Sequence, residues 1–331
     1  MPVEDAEIWG TFEDEPVHRI SITDGALTAH VITWGAVLQD LRLEGVAHPF
    51  VLGFDAFEPY PDHSPFFGAI AGRVANRIGH GRFSIDGTTF QVATNPGSEH
   101  TLHGGPGGLG KRLWRIREQG PDFVELAITD PDGFNGFPGR VEALCRYALA
   151  DAALTVELSA TTTAPTPVNL AHHTYWNLDG SSDVRDHRIR ISAERFSAVD
   201  DDFIPSGETP SVEGSRFDFR EPTRLGEATE RGVVDHNLIL ADARREAQEV
   251  ARVEAGELAL LIDTTEPGLQ VYAGHKIKPM TGLDGRRYGP HAGLALEPQV
   301  WPDAVNHEHF PPMVLRPGET YGQVSRFRIE R

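Results

Sequence analysis

The chain has 331 residues, and its 30 Lys+Arg against 49 Asp+Glu give a formal net charge of −19. With 39% hydrophobic and 24% charged residues it is globular in composition, and its acidity excludes a nucleic-acid binder, which needs clustered Lys and Arg for phosphate contacts. The single Cys145 excludes an internal disulfide framework, and no apolar run approaches the ~20 residues of a membrane span. Strand signals dominate in chain order. His18–Ile22 alternates, Asp24-Gly25 supplies a turn, and Leu27, Ala29 and Val31 recur at period two, which predicts a hairpin. Phe83–Ile85, Asp86-Gly87 and Phe90–Val92 repeat that grammar. Ala153–Leu158, His187–Ile191, Leu258–Ile262 and Leu269–Tyr272 alternate as well. Ala241–Val253, rich in Ala, Arg and Glu, reads equally as a helix or as a loop and a strand. The 34 Gly and 24 Pro fit a protein of many turns, and neither a fixed-period repeat nor a Pro/Ser-rich linker divides it. The expectation is an all-β fold, one large antiparallel domain over residues 1–331. MPVEDAEIWG lacks the basic-then-apolar pattern of a signal peptide, so a cytoplasmic protein is expected.

Several motifs weaken on inspection. Gly105–Gly110 (GPGGLG) satisfies G-x-G-x-x-G, but Pro106 interrupts it and no helical pattern follows, so it reads as a loop after His103. His172 and His173 are adjacent, and neighbours on a strand face opposite ways, so they do not chelate one metal together. His307 and His309 lack an obvious third ligand. Neither a G-x-S-x-G elbow nor a Walker A loop occurs. Stronger groupings are GRVANRI (72–78), with Arg73, Asn76 and Arg77; His103 at the mouth of a glycine loop; NLAHHTYWNL (169–178); Asp235-His236-Asn237; and Glu297 ending the apolar run Ala292–Leu296, immediately before a proline. A carboxylate ending an apolar run is costly to bury without a reason. Aromatic rings beside His, Arg, Asp and Glu suit a sugar, whose apolar faces stack while its hydroxyls pair with charged groups.

Taken in order, these pieces resemble the aldose 1-epimerase (galactose mutarotase) family from end to end. GRVANRI, LHGG at His103, DPDGFNGFPG from Asp130 and NLAHHTYWNL are followed by IPSGETPSVEGSRFDFR from Ile204, VDHNLIL around Asp235, TTEPGLQVYAG from Thr264 and LALEPQVWPDAVNH around Glu297. The resemblance implies a β-supersandwich that interconverts the α and β anomers of a free aldohexose such as galactose or glucose. It implies Glu297 as general base and His173 as general acid, with Asn76 and Arg77 as the substrate-binding pair, although spacing alone does not choose Arg77 over Arg73. His103, Tyr175, Asp235 and Gln270 match positions lining the sugar site. The implied partner is a monosaccharide, with no cofactor, metal, nucleic acid or membrane, and the protein is expected to be a monomer or homodimer. Two residues depart from the family pattern, His172 and His275, where Asn is usual. Alternation turns His172 away from the pocket, and His275 is expected to be the one nearer the sugar. The chemistry needs only an ionised Glu297 to take the anomeric proton and a protonated His173 to give one to the ring oxygen. Two rival readings stand beside it: a glycoside hydrolase using Asp235 and Glu297, and a sugar-binding protein without turnover.

Overall fold

The computed structural model describes residues 6–331. A nine-stranded antiparallel sheet forms one layer, in the order Arg115–Gln119, Phe123–Asp130, Val141–Ala150, Ala153–Thr162, Tyr321–Glu330, Leu258–Thr264, Gln248–Ala255, Arg188–Ile191 and Thr223–Arg224. A five-stranded antiparallel sheet faces it: Tyr175–Trp176, Leu294–Gln299, Gly268–Tyr272, Asp235–Ile239 and Arg195–Phe196. A further four-stranded sheet spans Glu7–Phe12, Glu15–Thr23, Leu27–Ile32 and Val37–Leu43. Among the described residues the only α-helices are Pro59–His63 and Leu225–Glu230. The all-β expectation therefore holds.

Period-two patterning explains the layers. Val141–Ala150 and Tyr321–Glu330 bury alternate residues, as expected of sheets with one face on the core. Leu294–Gln299 is buried at every position, because the five-stranded sheet is covered on both faces. One face of that sheet carries Trp176, Leu238, Leu269, Val271, Leu294 and Leu296 into the main core with Val156, Leu158 and Phe327 of the larger sheet. The Trp176 and Phe327 rings stack with centroids 5.1 Å apart. Both Asp-Gly hairpins form, as Glu15–Thr23 with Leu27–Ile32 and Arg82–Ile85 with Thr88–Gln91. The ambiguous Ala241–Val253 stretch is a loop leading into the strand Gln248–Ala255, held between Arg188–Ile191 and Leu258–Thr264. Pairing on both sides overrides its helical propensity. Gly105–Gly110 is a loop ending in the single 3₁₀ turn Leu109–Lys111, without the helix a dinucleotide cradle requires.

The structure also separates the two arginines that spacing could not. Arg73 is fully buried, and its Nε donates to Asp130 Oδ2 at 2.7 Å while Nη1 donates to the carbonyls of Pro138 and Gly139. Arg112 Nη1 donates to the second Asp130 oxygen at 2.6 Å. Arg73 thus ties the segment before Asn76 to the Asp130–Gly139 loop and belongs to the scaffold. Replacing Asp130 with Ala strands the buried guanidinium, so the expected loss of stability is about 3–5 kcal/mol. Denaturant unfolding measures it, and a loss below about 1 kcal/mol would show the pair to be dispensable.

Candidate active site

Strand register assembles the site on the second face of the five-stranded sheet. Glu297 lies opposite Gln270, Gln270 opposite Asn237, and Tyr175 opposite Ala295. Opposed residues share a face, as do residues two apart, so His173, Tyr175, Asp235, Gln270, Tyr272 and Glu297 all project to one side. They line a cavity of about 290 Å³. Asn76, Arg77 and His103 close it from the neighbouring loops, with Pro65, Phe66, Leu102 and Lys276 completing the wall. Every residue the sequence singles out for the site therefore lies on this one cavity.

The loops are shaped for this purpose. Asn76 and His103 both take positive φ, 60° and 53°. Gly104 follows at φ +83°, where a Cβ would lie 2.1 Å from the Gly72 carbonyl oxygen, so glycine is required for His103 to reach the cavity. The Asn76 backbone N–H donates to His103 Nδ1 at 3.2 Å, which places the ring proton on Nε2 and leaves that donor for a ligand. Asn76 Oδ1 accepts from the Arg77 backbone N–H at 2.9 Å, and Gln270 Nε2 donates to Asp235 Oδ1 at 2.7 Å.

At the centre, His173 Nε2 stands 3.5 Å from Glu297 Oε1. The imidazole lies between Tyr175, stacked at 5.1 Å, and Phe66, stacked at 5.9 Å, while the Tyr175 hydroxyl donates to the Pro65 carbonyl at 3.0 Å. The ring is therefore held in one orientation. Glu297 Oε2 and His173 Nδ1 have no protein partner. Burial, helped by the negative charge of Asp235, pushes the Glu297 carboxyl well above the usual carboxylate range, and Arg77 opposes this only in part. Burial pushes His173 down to about 4, and His103 well below an ordinary histidine. The sequence reading asked for an ionised Glu297 and a protonated His173; without a ligand, desolvation favours the uncharged form of each.

The two departures from the family pattern separate cleanly. His172 faces away from the cavity, edge-on to Tyr147 at 5.6 Å and Phe327 at 5.7 Å, with Nε2 and Thr174 Oγ1 2.7 Å apart. His275 is half-buried edge-on to Tyr272 at 5.3 Å, and it is the next residue, Lys276, that lines the cavity. His275 therefore meets the site through the Tyr272 ring. Phe66, Tyr272 and Lys276 escaped the sequence reading. Tyr272 lies within the TTEPGLQVYAG motif, and Phe66 sits beside a proline in an otherwise uninformative stretch.

Residues 18–328 match the family described as Aldose 1-epimerase. The chain belongs to that family, and it is an isomerase. Galactose mutarotase from Bos taurus is 40% identical over 95% of this chain and 94% of its own length. Aldose 1-epimerase from Escherichia coli K12 is 34% identical over 96% of each. An aldose epimerase homologue from C. elegans, known as a crystal structure, superposes with a TM-score of 0.90 at 32% identity, covering 95% of this chain and 99% of that one. Galactose 1-epimerase from Lactobacillus acidophilus superposes with a TM-score of 0.87 at 25% identity, covering 98% of each chain.

Burial pushes His172 down to about 3 from an ordinary value of 6.5. A histidine depressed in the fold lets the unfolded chain bind the extra proton, so it costs stability as pH falls from 6.5 towards 3. His172→Asn gives up two edge-on aromatic contacts worth ~0.5–1.5 kcal/mol each, and should lower stability by about 1–3 kcal/mol at neutral pH. It should also lose less further stability on acidification than the parent. Unfolding curves across that pH range measure both effects; parallel pH dependences would show that His172 is not held neutral.

Proposed function

We propose that the enzyme interconverts the anomers of galactose and glucose with Glu297 as general base and His173 as general acid. The observation that carries this reading is the 3.5 Å approach of two otherwise unpartnered, buried groups of opposite acid–base character. In ring opening Glu297 takes the proton of the anomeric hydroxyl, His173 gives one to the ring oxygen, and the bond from C1 to that oxygen breaks as the aldehyde forms. Rotation about the C1–C2 bond presents the other face, and the two transfers reverse. Asn76, Arg77, His103, Asp235 and Gln270 hold the remaining hydroxyls, so the transfers start from aligned geometry. Tyr175 and Phe66 keep the His173 ring in place.

The charge states are consistent with this cycle. Carboxylate with imidazolium and carboxylic acid with imidazole contain the same single proton, and ring opening converts the first pair into the second. The burial that favours the uncharged pair therefore supports proton transfer towards the open-chain sugar, and that pair is the one needed to close the ring. A glycosidase reading would give no part to His173, and a sugar-binding protein without turnover would not need an acid and a base 3.5 Å apart.

Every group named above comes from one chain; we take the enzyme to be one domain and a monomer or homodimer. We place it in the cytoplasm, a setting that its lone buried Cys145 fits. Polarimetry with fresh α-galactose and α-glucose tests the proposal. Glu297→Gln and His173→Asn should each lower kcat by roughly 10²–10⁴-fold with the fold intact. Arg77→Ala should raise KM as well. Near-parental turnover in either of the first two variants would refute its role, and release of chromophore from aryl glycosides would favour the glycosidase.

A further inference from the structure

Lysine is scarce in this chain. The sequence holds 27 arginines but three lysines, Lys111, Lys276 and Lys278. Lys276 lines the sugar cavity, Lys278 lines the cavity next to it, and Lys111 lies against Phe66 of the inner wall, its Nζ 5.3 Å from the ring centre. Lys276 also reaches across the opening to Phe203, with Nζ 5.2 Å from that ring, and the Arg77 guanidinium sits 5.1 Å from the same ring. Beyond Pro65 and Lys276 a second cavity of about 400 Å³ continues outward, sharing those two residues with the first. Its walls are Lys276, Lys278 and Met280 on one side and His63, Ser64 and Pro65 on the other, with Asp62 its single carboxylate.

A chain of net charge −19 repels an anion from most approaches, so a local run of ammonium groups at one opening offsets that field where it matters. The choice of lysine carries information too. Arginine offers a flat fork of fixed geometry, whereas an ammonium is a compact charge on a flexible stem that follows a group presented at variable angles. We propose that the outer cavity is a subsite for an anionic substituent, carboxylate or phosphate, carried by the aldose at the end that stays in the mouth while C1 sits between Glu297 and His173. The proposal rests on the acid–base reading of the inner cavity and extends its substrate class to acidic aldoses.

Mutarotation of galactose, galacturonate and glucose 6-phosphate by the full chain and by Lys278→Gln, each at low and moderate ionic strength, tests it. Lys278 is exposed and lies outside the inner cavity, so galactose turnover should be unchanged in the variant, which also reports that it folds. For an acidic aldose kcat/KM should fall roughly threefold to fivefold in the variant, the scale of one solvent-exposed ion pair, and should fall with added salt in the parent. A response confined to galacturonate assigns a carboxylate subsite, and one confined to glucose 6-phosphate a phosphate subsite; either supports the proposal. Acidic aldoses indifferent to both the variant and salt, or not turned over while galactose is, would overturn the subsite and leave the inner reading standing. Failure on every aldose, galactose included, would overturn the acid–base reading and the subsite with it.

Discussion

Glu297 and His173 are buried 3.5 Å apart on the wall of one cavity, and the surrounding structure holds them there. Glu297 sits on a strand buried at all six positions, between Tyr175–Trp176 on one side and Gly268–Tyr272 on the other. Such a strand carries a carboxyl group at least cost when the group is uncharged, and burial keeps Glu297 in that form beside a neutral imidazole 3.5 Å away. Burial raises the affinity of Glu297 for the proton and lowers that of His173. Under the proposed mechanism, that bias favours the uncharged pair that would face the open-chain sugar, the species through which both anomers pass.

The scaffold answers the same constraint. Five strands in antiparallel register bring residues distant in sequence to one face, while Trp176, Val271, Leu294 and Leu296 on the other face fix the sheet against its larger partner. The buried Arg73–Asp130–Arg112 cluster anchors the loop that ends in Asn76 and Arg77. Positive-φ positions at Asn76 and His103 turn those side chains inward, and Gly104 makes the close backbone passage possible. The cavity is therefore shaped by residues that do not line it.

Much of this was legible in the sequence. Alternation and Asp-Gly turns identified the strands, and the order of motifs identified the family and the eight residues that meet at the cavity. Alternation also turned His172 away from the cavity, where the structure finds it packed on Tyr147 and Phe327. What alternation could not supply is depth. Arg73 and Arg77 look alike in GRVANRI, and only the fold shows that one is enclosed beside Asp130 while the other faces the cavity. The protonation bias of Glu297 and His173 was hidden for the same reason, since it arises from layers contributed by distant strands. Ala241–Val253 left helix and strand open because composition does not record strand partners. The scarcity of lysine, by contrast, stood in the sequence throughout and gained meaning only when the fold brought Lys111 to the wall that Lys276 shares.

The enzyme-catalysed rate as a function of pH, with the uncatalysed rate subtracted, tests the shared proton most directly. Under the proposed mechanism, activity requires one proton on the pair. Below about 4 His173 gains a second and no base remains; above the raised range of Glu297 the last proton is lost and no acid remains. The expected profile is a plateau whose acid limb has its midpoint near 4 and whose alkaline limb lies well above the usual carboxylate range. An acid limb centred near 6.5, the value of an ordinary histidine, or a profile with no limbs at all, would contradict the account.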